Sequence, residues 1–439
     1  MSDDFLTSEQ TENYGRYVAD PNEVQLARYF HLDERDLAFI NQRRGKHNRL
    51  GIALQLTTAR FLGTFLPDPL QIPSFIRFYI AAQLNISRPE ILSRYAEREN
   101  TRWEHQGLIK LYYDYHDFGD FPWTFRLKRL LYTRAWLSNE RPGLLFDFAT
   151  AWLLQNKILL PAASTLTRLI GEVRERASRR LWRRLALLPD SWQKTQLDGL
   201  LEIPEGQRIS VLEEMRKGPV TISGPSFTDA LERYTRLRSM EFSRLNFSGL
   251  PAIQLRNLAR YAGRASVKYI SRMPDERRLA VLTAFVKAQE ISALDEAVDV
   301  LDMLILDITR SAKNIGQKKR LRTLKDLDRA ALLLARACTL LLDENTDEAA
   351  LRQAIFRRIP KDKLAESVGK VNELARPQDT QFQDEMVEQY GRVKRFLSAM
   401  LRDLHFQAAP AGELTLSAIH YLAELSGSKK RILDDAPEQ

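Results

Sequence analysis

The chain has 439 residues, 44 % of them hydrophobic, and carries 66 Lys and Arg against 57 Asp and Glu, a formal net charge of +9. That composition excludes a disordered chain, leaves room for about three domains, and favours nucleic acid or an acidic surface among partners. A single cysteine, Cys338, excludes an internal disulfide and a cysteine-based zinc site.

Leu, Ala, Arg and Glu dominate and β-branched alternation is scarce, so the expected fold is all-α, in several helical subdomains. The start, Met-Ser-Asp-Asp-Phe-Leu, lacks the basic and apolar runs of a signal peptide. The longest apolar run, Ala330 to Leu342, is interrupted by Arg336 and falls short of the roughly 20 residues of a membrane span. A soluble, cytoplasmic protein without a membrane partner is expected.

In chain order, Val24 to Phe30 and Asp36 to Gln42 read as helices. A basic loop follows, with Arg43, Arg44, Lys46 and Arg49, and Asn48 is placed to cap a helix running to about Phe61. A basic loop at a helix N-terminus suits a phosphate contact, because backbone amides and guanidinium groups point the same way. An ordinary solvated loop is the alternative. Ser87-Arg-Pro-Glu and Thr101-Arg-Trp-Glu have the form of capping boxes and would start two further helices, the later one carrying Arg102, His105 and Lys110. From Leu111 to Phe125 aromatic residues crowd among Asp114, Asp117 and Asp120, which fits a packed junction between subdomains better than base stacking.

Gly143 to Gln155, with Leu144, Phe148, Trp152 and Leu153, predicts a helix, and Pro161 ends it before a second one. Ser164 or Thr165 offers the N-cap hydroxyl. From there Leu166, Leu169, Ile170, Val173, Ala177 and Leu181 share one face, while Arg168, Arg176, Arg179 and Arg183 fall within about 80° of one another on the other side. Between Lys157 and Leu185 eight Lys and Arg stand against two Glu, so this stretch holds a net +6 of the whole chain's +9. The pair reads as a helix-turn-helix whose second helix faces water or a polyanion. Arg180 and Arg184 point toward the apolar side, a place for the helix to end or bend.

Breaks at Pro189-Asp190, Pro204 to Gly206 and Gly218 to Pro225 mark a linker zone, giving expected domains 1–140, 141–222 and 223–439. Beyond it the spacing predicts an Arg-rich helix over Ser226 to Ala262 with a turn at Pro251. Two more helices, Arg277 to Ile308 and Leu324 to Leu342, are expected to flank a basic connection of Lys313, Lys318, Lys319, Arg320, Arg322 and Lys325.

Signals for catalysis are weak. Asp295, Asp299 and Asp302 share a helix face, as a divalent metal or an acid–base pair needs, but no histidine or further carboxylate stands at a telling distance. The six histidines show no paired spacing, and the chain has no Gly-rich phosphate loop, His-Glu-x-x-His or Gly-x-Ser-x-Gly. No catalytic or metal residue and no small-molecule substrate is assigned.

Several strings resemble, in order, transposases of the Tn-three family, the replicative class II elements. They are Leu6-Thr-Ser-Glu-Gln, Tyr14-Gly-Arg-Tyr, Asn48-Arg-Leu-Gly-Ile-Ala-Leu-Gln-Leu with Arg60-Phe-Leu-Gly, and Glu104-His-Gln-Gly-Leu-Ile. Pro161 to Leu169, Leu258-Ala-Arg-Tyr, Pro274-Asp-Glu-Arg-Arg-Leu-Ala-Val-Leu-Thr-Ala-Phe and Leu294-Asp-Glu-Ala continue the series. The resemblance implies a helical N-terminal half that binds terminal inverted repeats through helix-turn-helix-like modules. It further implies a catalytic RNase H-like half that holds two magnesium ions, and this chain stops about where that half is expected to begin. No cofactor is therefore expected here, and the chain alone is expected to be inactive.

The resemblance and the residues agree on double-stranded DNA as partner, with a homo-oligomer also compatible. Arg168, Arg176, Arg179 and Arg183 are the first candidates for contact, and Arg43, Arg44, Lys46 and Arg49 the second. Thr165, Thr167 and Arg168, at the N-terminal turn, are placed to read bases, and the later arginines to hold phosphates. A helical scaffold with no DNA role explains the composition equally well, and a metal-dependent nuclease using the three aspartates is a third reading.

Overall fold

The computed structural model describes residues 5–342, 351–374 and 381–427, and the protein is all-α. Among the described residues extended backbone pairs only as an isolated bridge between His116 and Ile158. Contacts divide the chain into two compact units. One comprises Met1–Leu188, Asn246–Ala265 and Arg272–Ala284, and the other Pro189–Leu245, Ser266–Ser271 and Phe285–Gln439.

In the first unit, α1 (Glu34–Asn41) and α2 (Lys46–Leu62) are joined by a tight turn. Helix α2 is the axis of the first core, and every residue from Leu50 to Ala59 is buried. Its ends are set by glycines at positive φ, where a side chain is strained: Gly45 at φ 84 and Gly63, in the left-handed helical region, at φ 71. Gly45 takes the N-cap position expected for Asn48, whose amide instead donates to the Arg44 carbonyl. At Gly51 the ring of Tyr95 lies against the backbone, so close that a Cβ would stand 2.3 Å from Tyr95 Cδ1.

Asp36, on α1, is 1 % exposed. Its carboxylate accepts two bonds from Arg60 (2.6 and 2.7 Å) and one from the Tyr113 hydroxyl (2.7 Å). Burial opposes the charge, but these donors hold the carboxyl below its ordinary range. Tyr113 ends α3 (Glu99–Tyr113). This helix begins two residues before Thr101, so the expected capping box is not formed there, and Ser87 caps nothing either: Arg88 precedes the short turn Pro89–Ile91. His105, on α3, is buried with its ring stacked on Tyr95 and bonded to the Tyr95 hydroxyl (3.1 Å).

Helices α4 (Trp123–Leu137), α5 (Pro142–Gln155) and α6 (Ala163–Ala186) build the second core from Leu127, Leu131, Leu145, Leu153, Leu166 and Ile170. The aromatic stretch is the junction between the two cores. Tyr112 stacks on Phe39 at 4.6 Å on one side, while Phe118 and Trp123 pack on the other. Leu127 and Leu131 share a core with Leu166, so the contact pattern runs through residue 140 instead of dividing there, and the first unit breaks at Leu188. The stretch Ser226 to Ala262 breaks at Pro251 as expected, and also earlier: α7 (Gly224–Ser239) is followed by a short turn at Phe242–Arg244, and α8 (Ala252–Arg264) starts directly after Pro251. Helix α8 joins the first unit, where Leu255 and Leu258 pack against Leu181, Leu185 and Ala280.

The expected pair of helices after residue 276 is one continuous helix, α9 (Asp275–Leu341). No proline stands between Pro274 and Pro360, and Lys, Arg and Gln are good helix formers, so the basic run extends the helix where a turn was expected. The side chains of Lys319, Arg320 and Arg322 lie outside the described residues. In the second unit α7, the later part of α9 and α10 (Tyr390–Asp403) enclose Phe227, Leu231, Ala297, Leu304 and Phe396. Arg233, buried on α7, donates to the Lys217 carbonyl and to Glu296.

Candidate nucleic-acid interface

The 24 residues of α6 form because Leu166, Leu169, Ile170, Val173, Ala177, Leu181 and Leu185 repeat at helical spacing, and all of them are buried. Leu166, Ile170 and Leu185 are fully buried, each contributing up to about 1.5–3 kcal/mol. The helix starts at Ala163, one or two residues before the expected caps, and Ala162 supplies no side-chain cap. Its orientation is fixed instead by the connection before it. There the His116 amide donates to Lys157 O (3.0 Å), Leu159 to His116 O (2.9 Å), and Leu160 to Gly63 O (2.8 Å).

With one face of α6 in the core, Arg168, Arg176, Arg179, Arg180, Arg183 and Arg184 are exposed on the remainder. Arg179 pairs with Glu175, and Arg183 lies 3.6 Å from Glu276. Arg168 and Arg176 have no acidic partner among the described residues. The helix runs on through Arg180, and Arg184 lies in its last turn, two residues before its end at Ala186. Their guanidinium groups lie 5.3 and 5.9 Å from the Trp136 ring, and Arg180 also donates to the Tyr132 hydroxyl (3.1 Å). A neighbouring aromatic helix thus receives two cations that a single-helix wheel places toward the core. Glu172 and Glu175 share the arginine face, but from Arg176 to Arg184 no carboxylate interrupts the five arginines.

Two residues expected to read bases fare differently. Thr165 is half-buried, whereas Thr167 is buried and its hydroxyl donates to Ser164 O (3.0 Å), a carbonyl of its own helix. In the second cluster Arg44 and Lys46 are exposed. Arg49 is spent on the loop itself, donating to Arg43 O (2.9 Å) and Asn41 O (3.3 Å), and the Arg43 guanidinium lies 5.5 Å from the Phe39 ring. The arginines of α6 and those of this loop lie on separate cores of the same unit. Of the polar residues noted on α3, His105 is internal, Arg102 donates to Pro67 O and Lys110 pairs with Asp117. Sequence reasoning passed over Lys128 and Arg129, exposed on α4 at helical spacing from Tyr132 and Trp136. Asp295, Asp299 and Asp302 are exposed on α9, and no group of three His, Cys, Asp or Glu among the described residues is arranged to hold a metal ion. No described helix is long and apolar enough to cross a membrane.

The molecule is thus an all-α protein with a long, core-anchored helix that presents arginine to solvent. Residues 5–173 match a family model described as a domain of unknown function, DUF4158. The chain is 77 % identical over 438 residues to the transposase for transposon gamma-delta of Escherichia coli (strain K12), covering 100 % of this chain and 44 % of that protein. It is 26 % identical over 439 residues to the transposase for transposon Tn1546 of Enterococcus faecium (99 % and 44 %) and 28 % over 413 residues to that for Tn501 of Pseudomonas aeruginosa (94 % and 42 %). The chain belongs to the Tn-three family of transposases and corresponds to their N-terminal part. It spans about 44 % of the length of the first two of these relatives.

Proposed function

We propose that this chain binds double-stranded DNA at the ends of a transposon, serving replicative transposition without performing its chemistry alone. The observation that carries the reading is the uninterrupted exposed run Arg176, Arg179, Arg180, Arg183 and Arg184 on a helix whose other face is locked into a core. A rigid cationic helix lowers the entropy lost when its side chains meet phosphates, and each contact releases counterions. Helix α5 and α6 act as a helix-turn-helix-like pair, although their seven-residue connection, 156–162, is longer than the usual 3–4 residues. Arg168 and Thr165, at the N-terminal end, meet base edges, the later arginines set register on phosphates, and Arg44 and Lys46 add a second backbone contact. Two transposon ends offer two copies of one site, which a homo-oligomer matches.

Glu172 and Glu175, interleaved with the arginines, favour the competing reading of a scaffold whose charges serve solubility. A duplex carrying a class II terminal inverted repeat, titrated against a scrambled duplex across a salt series, separates the two. The repeat is expected to bind more tightly at every salt concentration. Changing Arg168, Arg176, Arg179 and Arg183 together to Ala is expected to lower the slope of log K against log salt by about 0.9 per lost phosphate contact. An unaltered affinity and slope in that variant would remove α6 from the interface.

A further inference from the structure

Helix α8 carries a second arginine row that no contact among the described residues explains. Arg256, Arg260 and Arg264 recur at every fourth residue, so successive side chains stand about 6 Å apart along the axis and only about 40° apart around it. All three are exposed, and none has an acidic or hydrogen-bonding partner among the described residues. The opposite side of the helix is occupied. Ala259 and Ala262 are buried, and Leu255 and Leu258 pack against the C-terminal end of α6. At its start the Gln254 amide donates to the carbonyls of Ala135 (3.0 Å) and Ser138 (2.8 Å), which ties α8 to the end of α4. The row is therefore held in a fixed place relative to Arg180 and Arg184, within one compact unit.

The charge pattern is unusual for a merely solvated face. The 13 residues of α8 include no Asp or Glu, whereas α6 interleaves two Glu with its arginines. Like charges four apart on a helix repel by a few tenths of a kcal/mol per pair, and carboxylates at intervening turns normally relieve this. Arg264, in the last turn, is favoured by the helix dipole, but Arg256 and Arg260 lie too far from that end to share the benefit. A polyanion relieves all three at once. The row spans about 12 Å, a length over which B-DNA presents several phosphates at about 3.4 Å of axis per strand. Apart from the arginines, the exposed side chains of α8 are Ala252 and Ile253, which offer no hydrogen bond to a base edge, and Asn257, the polar side chain beside the row, is only half-exposed. We infer that Arg256, Arg260 and Arg264 form a second, sequence-independent clamp on the DNA backbone, rigidly coupled to α6. This rests on the proposed DNA binding.

The test compares the whole chain with a triple variant, R256A/R260A/R264A, on repeat-bearing and scrambled duplexes between 50 and 200 mM salt. Three lost phosphate contacts lower the salt slope by about 2.7, so the ratio of parent to variant affinity shrinks on the order of 40-fold across that range. Both duplexes should weaken alike, leaving their ratio unchanged. The triple Lys variant keeps the charges on the same helix and should restore most of the slope, which damage to packing would not allow. An unchanged slope in the Ala variant, with the parent and the α6 variant behaving as proposed above, overturns the clamp alone. Weakening confined to the repeat overturns its sequence independence. Absence of DNA binding by the parent overturns the clamp and the proposed function together.

Discussion

Replacing Arg60 by Leu is expected to destabilise the first unit by about 3–5 kcal/mol at neutral pH, the usual cost of leaving one charge of a buried pair without its partner. The structure sets the size of the effect. Asp36 is 1 % exposed, receives two short bonds from Arg60, and retains only the Tyr113 hydroxyl and the Asp33 amide once the guanidinium is gone. Five of the six tryptophans, Trp103, Trp123, Trp136, Trp152 and Trp182, lie in that unit, so urea unfolding followed by tryptophan fluorescence reports on it. The pH dependence supplies a second signature. In the parent the Asp36 carboxyl is held below its ordinary value, so its contribution is present above that value and lost as pH falls through the depressed one. In the Leu variant the orphaned carboxylate is governed by burial, which raises its pKa, and acid then relieves the defect. The difference between parent and variant should therefore shrink as pH falls from 7 to 4. The double variant with Asp36→Leu should be less damaged than Arg60→Leu alone. A loss below about 1 kcal/mol at pH 7, or a difference that does not change with pH, would refute this account of the network.

His105 is buried beside Tyr95, and burial first, with the charge of Arg43 second, pushes its pKa from 6.5 down to about 4. The unfolded chain binds the proton more readily, so stability should fall as pH drops from about 6.5 to 4, by at most about 3 kcal/mol, and the urea midpoint of His105→Gln should lack that component. Gly51→Ala gains about 1 kcal/mol of helix propensity but drives a Cβ to 2.3–2.4 Å from Cδ1, Cε1 and Cγ of the fully buried Tyr95. The net expectation is a destabilisation of about 1–3 kcal/mol, and a thermal melt equal to the parent's would show that the ring has room to move.

The apolar periodicity of α6 was legible because its face packs along its whole length, and Leu166 to Leu181 are buried as their spacing predicts. Helix starts were less legible. Hydroxyl-plus-carboxylate pairs such as Thr101 and Glu104 fit a capping box by type, yet α3 begins earlier, and Gly45 sets the start of α2 by backbone conformation alone. The continuity of α9 was hidden by a charge run that composition associates with turns. Of the candidate interface, the exposed positions of Arg168, Arg176, Arg179 and Arg183 follow from the wheel of a single helix. The tie of Arg180 and Arg184 to Trp136 does not, because the ring lies more than forty residues upstream on another helix. Pairing of Asp36 with Arg60 is equally invisible to local pattern. The spacing of Arg256, Arg260 and Arg264 stood in the sequence throughout, but their lack of partners among the described residues is a tertiary fact.

The connection ahead of α6 has a practical corollary. Its backbone is riveted at His116 and at Gly63, so the helix inherits its pose from a segment about a hundred residues upstream. A fragment cut near residue 140 would keep every arginine of α6 and forfeit both rivets, along with Leu127 and Leu131 of its core. Such a piece is a cationic peptide, not a portable module. The smallest transplantable unit has to begin upstream of Gly63, and grafting the arginine row onto another scaffold means grafting the geometry of two cores with it.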